Sequence, residues 1–552
     1  MSKIQKEKVI IILARRGTKN IARQNVRLVN GKPLIYYIIR KCQKIKSADI
    51  FVSTDSEEIK QLSILYGVNW LDRPISLTKD QTPIEKIVYN SLIQLKKKNL
   101  NYKKCLILNP HFPLIKINTI NKFFSELSSK RETIFGFLED QDTEYIKIHK
   151  KRNEQKFEKI ENHLAEKKKI VSFNCDTFLS KKKWNKPEFG IELKKSEIFS
   201  PSSYHDFGIL ENILKRKRIL VRLDGSKSIG LGHVYNMLTV LNHFRNDEIL
   251  ILMNKTKCLG KEKLEENLFK VRLFSTEVEL FKEIKKFKPD IIFNDILNSK
   301  IKYMEKLKNE KYFVVNFEDL KEGRKFANLV FNPIFSNNKK FKNEFYGANY
   351  ACVRDEFRIF KRKTVRRKIE KITITLGGVD SNNNTLRVIN LIQKNKILKN
   401  IEINLILGFG FKHKKELIKK IYKMEKENYK IQVIEKTDFI SKYIVDSDFV
   451  ITSNGRTVFE IASLKIPIIS LSVNLRESLH SFVKESKTGF QIDFTNGSSE
   501  KELIRDISFM ENYDRRKEFL RNLEKIDLEK GIERVVHIIN SEFDKKKLNF
   551  ND

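Results

Sequence analysis

His233 closes a run that reads Arg222-Leu223-Asp224-Gly225-Ser226-Lys227-Ser228-Ile229-Gly230-Leu231-Gly232-His233. The run follows a strand-like apolar stretch and opens a helical pattern. Its glycines allow a tight turn, so His233 is expected near a helix N-terminus, facing a cleft. That position disfavours a protonated imidazole, which suits a neutral general base, with Asp224 orienting the ring or holding a water. A helix-start histidine without chemistry fits the same local pattern. Further along, Asp295 ends the apolar stretch 290–294, and Glu318-Asp319 ends another. Gly377-Gly378-Val379-Asp380 follows a third strand pattern, and Ser453-Asn454-Gly455-Arg456-Thr457-Val458-Phe459-Glu460 joins a strand to a helix. A helix start rich in Ser, Asn, Gly and Thr reads as an anion site, and Glu460, one turn in, could accept from ribose hydroxyls. The histidines besides His233 lack metal-ligand spacing; His480, near Asn474, is a candidate for substrate contact.

A second cluster lies near the start. The first strand pattern runs into Ala14-Arg15-Arg16-Gly17-Thr18-Lys19-Asn20-Ile21-Ala22-Arg23-Gln24-Asn25, followed by Asn30-Gly31-Lys32-Pro33. A basic, Gly-containing loop after a parallel strand sits at the carboxyl edge of a sheet, where phosphates bind. Backbone N–H groups and the Arg and Lys heads could cradle a triphosphate there. A basic loop taken alone is more often just a loop.

The elements that must position these residues are strands apolar on both faces, alternating with helical patterns. They fall at 8–14, 49–53, 104–108, 218–223, 248–252, 290–294, 312–316, 371–376, 402–407, 448–452 and 467–470. Such alternation predicts parallel sheets of α/β type. Segment 150–190 is the least regular. Breaks near 210–218 and 358–370 divide the chain into three α/β units: 1–215, 216–362 and 363–552. A chain of 552 residues suits about three domains.

Composition narrows the class. No stretch approaches the roughly 20 apolar residues of a membrane span, and the N-terminus reads as a first strand and not a signal peptide. Five scattered cysteines without a CxxC pair give neither a disulfide framework nor a zinc ribbon. A reduced, cytoplasmic protein is expected. The formal net charge is +39, but lysine is spread over the whole chain beside abundant Ile and Asn. The charge therefore argues for solvated faces and steering of anionic small substrates, and against nucleic acid. A homo-oligomer is left open.

The combination ILARxGTKxIxxxN, NGKPLI, VSTDSEEI (52–59), DRP (72–74) and DQTP (80–83) resembles the cytidylyltransferases that activate sialic acid and related nonulosonic acids. The resemblance covers about residues 7–125 well and 126–215 poorly. It implies a GT-A-like nucleotidyltransferase sheet with CTP along the Arg15–Asn25 loop. Arg15 and Lys19 would meet the phosphates, and Asn25, Asp55 and Asp80 fall on the family's pattern. It also implies Mg²⁺ for this unit. The family's Asp-x-Asp metal pair, however, aligns with Ser200 and Ser202, leaving Glu192, Glu197 and Asp206 nearby but out of register. Arg16, Asn20 and Gln24 replace a Gly, a Gly and a Lys.

The motifs RxDGSxxIGxGH, FEDL, YGxxYAxxRxEF, LGGxD and SNGRTxxE, in that order over about 217–495, resemble the UDP-sugar hydrolases of pseudaminic acid biosynthesis and their spore-coat polysaccharide relatives. That resemblance implies two Rossmann-like domains in GT-B arrangement, with UDP in the interdomain cleft. His233 would activate water against the anomeric carbon with Asp224 beside it. Gly378, Ser453, Asn454, Gly455, Thr457 and Glu460 would hold UDP, and no cofactor is implied. The expected substrates are a UDP-diacetamido-trideoxy-hexose and, for the first unit, CTP and a nonulosonic acid. A GT-B glycosyltransferase using an acceptor in place of water, and a non-catalytic scaffold or nucleic-acid binder, are the alternatives.

Overall fold

Strands that are apolar on both faces need cover on both sides of their sheet. The computed structural model describes residues 5–17, 21–45, 47–137, 148–151, 154–157, 170–184, 189–226, 230–336, 341–360, 365–435, 437, 439–495 and 499–548. It forms two compact units, Met1–Lys215 and Arg216–Asp552.

In the first unit, Val9, Ile10, Ile11 and Ile12 are all fully buried. Their strand, Gln5–Leu13, pairs in parallel with Ala48–Thr54 on one side and Asn101–Leu108 on the other. It belongs to a nine-stranded sheet. Beyond Asn101–Leu108 the sheet changes character. Val171–Asn174 runs antiparallel both to Asn101–Leu108 and to Thr133–Phe137. The sheet of this half is therefore mixed, where the strand pattern alone predicts parallel pairing. The late strand enters between two strands laid earlier in the chain, and their free backbone edges accept a partner of either direction. Residues Ser200, Ser202 and Asp206 precede or open the helix Tyr204–Lys215, which ends the unit.

The second unit holds two sheets in which every neighbouring pair is parallel. The first sheet runs Lys270–Phe274, Glu248–Cys258, Arg218–Gly225, Ile291–Asp295, Phe313–Phe317, Leu329–Asn332, Glu344–Tyr346. The second runs Lys430–Glu435, Glu402–Leu407, Lys371–Thr375, Phe449–Ser453, Ile468–Ser472, Gly489–Asp493. Each begins in the middle, winds outward one way, then returns and winds the other way. That is the doubly wound, Rossmann-type order, which opens a crevice at the carboxyl ends of the two central strands. In the first lobe the crevice lies between Arg218–Gly225 and Ile291–Asp295. In the second it lies between Lys371–Thr375 and Phe449–Ser453.

The boundary expected at 362/363 does not separate the two lobes' cores. The last helix, Gly531–Leu548, returns to the first lobe: Ile532, Val535 and Ile539 are buried in the same cluster as Val221, Phe293 and Val315. Phe543 meets Phe313 edge to face at 5.5 Å between centroids, and Lys217 Nζ donates to Asn540 Oδ1 at 2.5 Å. Each fully buried aliphatic side chain contributes about 1.5–3 kcal/mol, so this return is a substantial part of the first lobe's core. Among the described residues, no helix is long and apolar enough to cross a membrane.

Candidate functional sites at the strand ends

The loop after the first strand of unit one gathers most of the residues expected to meet a nucleotide. Arg15 is ion-paired with Asp80 and donates from Nη1 to Thr78 O at 3.1 Å. Asn25 is buried; its Nδ2 donates to Arg15 O at 2.9 Å, while its Oδ1 has no hydrogen-bond partner among the described residues. The Arg16 amide donates to Asp55 Oδ1 at 2.9 Å. Lys19 lies outside the described residues. Arg73, of the DRP motif, adds a buried cation: its Nη2 donates to Ser53 O at 2.8 Å, and burial pulls its pKa down to about 10. Arg73 was quoted in the sequence motif but given no role there; nothing in DRP alone tells a buried arginine from a surface one.

The carboxylates near this loop are already engaged. Asp206 accepts from the Ser202 hydroxyl at 2.7 Å and from the amides of Ser202 and Ser203, which hold its carboxyl below the usual range. Glu197 is buried and bonded to Thr119 Oγ1 at 2.6 Å and to the Lys116 amide. Among the described residues, no three His, Cys, Asp or Glu side chains come together as a metal site. What the described residues form is a basic loop braced by acids.

In unit two, strand order brings distant residues together. Leu223 and Asp295 are cross-strand partners at the carboxyl edge, and His233 sits one residue into the helix Gly232–Leu241. His233 Nδ1 meets Asp295 Oδ1 in a buried contact. A carboxylate can only accept, so Nδ1 carries a proton, and in the neutral tautomer this leaves the lone pair on Nε2. Asn236 Nδ2 donates to the other oxygen, Oδ2, at 2.8 Å. Burial pushes the Asp295 carboxyl up, but the imidazole, the Arg456 guanidinium and the two hydrogen bonds outweigh it and hold the group below its usual range.

Asp224, expected beside the imidazole, is placed elsewhere. It is bonded to Arg222 Nη1 at 2.5 Å and lies 3.3 Å from Lys257 Nζ. The cause is strand alternation. Asp224 shares a face with Arg222 two residues earlier, at an irregularity in the pairing with Glu248–Cys258. Asp295 takes the ring-holding place instead.

The second lobe contributes Arg456. Its Nη2 lies 3.5 Å from Asp295 Oδ2 and its Nε 2.9 Å from Glu318 Oε1. Burial lowers its affinity for the proton, but Glu318 and Asp295 outweigh that and raise it. The Gly-rich loops approach each other at the same edge. A Cβ on Gly378 would sit 3.6 Å from Leu231 N, and one on Gly408 only 2.4 Å from Gly378 O. Gly377 has φ +83°, which suits glycine. Ser453 and Asn454 end the strand beside this loop, both buried, and Gly455 and Thr457 follow at a helix of seven residues. Glu460 is turned away from a free ribose-binding role: Arg354 donates to both its oxygens, at 2.6 and 3.1 Å. Asp380 accepts from the amides of Asn384 and Thr385, so it caps a helix.

His480 is buried, with Nδ1 held by Asn454 O and its ring 4.9 Å from that of Phe335. Burial holds its pKa below the ordinary 6.5. With the folded value depressed, the unfolded chain binds the extra proton first. Stability is therefore complete above the unfolded pKa and is lost as pH falls from about 6.5 toward the folded value. Urea midpoints are expected to drop over that window, and less so in a His480→Asn variant; equal slopes in both would remove His480 from the acid response.

Residues 9–199 match the family model described as Cytidylyltransferase. An uncharacterized protein of Methanocaldococcus jannaschii is 31% identical over 291 residues, covering 49% of this chain and 59% of that protein. The CMP-N,N'-diacetyllegionaminic acid synthase of Legionella pneumophila is 34% identical over 113 residues, 20% of this chain and 48% of that enzyme. The chain thus spans about half the length of these curated relatives. Among solved structures, MurG of Acinetobacter baumannii overlays 59% of this chain and 99% of its own at 14% identity and a TM-score of 0.45. Residues 9–199 therefore match the cytidylyltransferase family model, and they are joined to a unit of two doubly wound lobes.

Proposed function

We propose that the chain is a bifunctional nucleotide-sugar enzyme of nonulosonic acid or surface polysaccharide synthesis. Its second unit cleaves a UDP-diacetamido-trideoxy-hexose to UDP and free sugar, and its first transfers CMP from CTP to a nonulosonic acid. The observation that carries the first part is the His233–Asp295 pair, set at the crevice of one lobe and met by Arg456 of the other. Asp295 fixes the ring through Nδ1, and Nε2 takes a proton from water as the water oxygen attacks the anomeric carbon. The bond from that carbon to the β-phosphate oxygen breaks, and UDP leaves with the electron pair. Backbone N–H groups of the Gly377-Gly378 turn are donors for the diphosphate. The proton on Nε2 passes to solvent and resets the base. Phosphorus NMR on a panel of UDP-diacetamido-trideoxy-hexoses, with no acceptor present, tests this. Release of UDP is expected; none across the panel overturns hydrolysis and leaves transfer to an acceptor.

The first unit's part rests on the match over residues 9–199, on similarity to a CMP-diacetyllegionaminic acid synthase, and on the braced basic loop. Arg15→Ala is expected to weaken CTP binding about tenfold or more, as loss of a charge-assisted phosphate contact does. Calorimetry with CTP decides it. Unchanged affinity removes Arg15 from the site, and no CTP binding by the parent protein overturns the unit's assignment.

A further inference from the structure

Glu318 combines features that packing does not explain. It follows the strand Phe313–Phe317 with φ +53°, in the left-handed region that a residue with a side chain occupies only when its surroundings over-determine it. Here both backbone groups are pinned. Its N–H donates to Phe331 O at 2.8 Å within its own lobe. Its carbonyl accepts from Arg476 Nη2 of the other lobe at 2.6 Å. The side chain is only 4% exposed. Its Oε1 faces Arg456 at 2.9 Å as an ion pair, yet among the described residues it receives no directed hydrogen bond. A buried carboxylate oxygen left in that state is costly, and native structures seldom keep one without a use. Asp319 shows the contrast. Its oxygens are taken by Ser299 Oγ, by Asn316 Nδ2 at 2.8 Å and by the Lys321 amide at 3.1 Å, so it serves the fold.

Glu318 also shares one guanidinium with Asp295, the carboxylate that holds His233. The two carboxylates therefore flank one guanidinium, and one of them holds the base. Phosphates offer a carboxylate only repulsion, whereas sugar hydroxyls and acetamido N–H groups are donors. We propose that Glu318 is a specificity-determining residue of this site, its carboxylate accepting a hydroxyl or acetamido N–H of the sugar carried by UDP. The inference rests on reading this unit as a UDP-sugar enzyme. It adds a residue that reads the sugar and not the nucleotide, with Arg456 as its countercharge.

Calorimetry in a His233→Ala background, so that the ligand survives, compares UDP with a UDP-diacetamido-trideoxy-hexose. Glu318→Gln keeps the shape and removes the charge. It is expected to weaken binding of the UDP-sugar by about ten- to a hundredfold, as a lost charge-assisted bond does, and to leave UDP within about twofold. Glu318→Asp keeps a countercharge for Arg456 but shortens the reach, and is expected to show the same selective loss; it serves if the Gln variant does not fold. Equal weakening of both ligands, or no change in either, overturns the proposal. Failure of the His233→Ala protein itself to bind either ligand overturns the UDP-sugar reading instead, so the two failures are told apart.

Discussion

His233→Ala is expected to lower the rate of UDP release about a thousandfold, within the 10²–10⁴ that a positioned general base supplies. UDP affinity should hold, because the base touches the attacking water and not the nucleotide. Asp295→Asn tests the other half of the pair. An amide can still accept from Nδ1, but it carries no charge to balance the imidazolium that forms as water is deprotonated. Its loss should fall within about tenfold of the alanine variant's, and the double variant should be little worse than either single one, as for groups acting as a unit. Single-turnover kinetics on the UDP-sugar measures all three. Parent-like rates in His233→Ala would sink the base.

The second large effect concerns stability. Arg324 is 3% exposed and Glu344 1% exposed, and the two are ion-paired inside the first lobe. Arg324 also donates from Nη1 to Leu320 O at 2.6 Å, so it ties the turn after Glu318-Asp319 to the edge strand Glu344–Tyr346. Removing one partner leaves the other charge buried and unpaired, at a cost of about 3–5 kcal/mol. Glu344→Ala should therefore shift the urea midpoint of this lobe strongly, while replacing both partners together, Arg324→Met with Glu344→Leu, should recover most of the loss. A single variant as stable as the parent would mean that water reaches the guanidinium.

Most of the second unit's strands were legible because their runs are apolar on both faces, 290–294 against Ile291–Asp295 being typical. But Glu248–Cys258 extends six residues past the expected 248–252, and Lys270–Phe274, Leu329–Asn332, Glu344–Tyr346, Lys430–Glu435 and Gly489–Asp493 were not read. The antiparallel strand Val171–Asn174 was not legible either, because four residues of mixed type carry no periodicity and their direction depends on which edges are free. The site shows a similar divide. The Gly-His loop and the Ser-Asn-Gly turn announce themselves in one dimension. Asp295 stood in plain view at a strand end, but several acids end strands here. Only the sheet order, which lays Ile291–Asp295 beside Arg218–Gly225, selects it over Asp224. Arg456 sat inside a quoted motif without a role, since its partners Asp295 and Glu318 lie 161 and 138 residues away, being 456 − 295 and 456 − 318. Glu460 had a role assigned and was found spoken for by Arg354.

The helix Gly531–Leu548 has one more consequence, for the order in which the chain can be completed. A ribosome delivers the first lobe's strands some two hundred residues before it delivers Ile532, Val535 and Ile539, which that lobe's core requires. The lobe made earlier is thus finished later, after its neighbour has been synthesised in full. Until that helix is made, the flank it covers stays open, and a message truncated near codon 530 would yield two lobes of which the earlier-made one lacks part of its core.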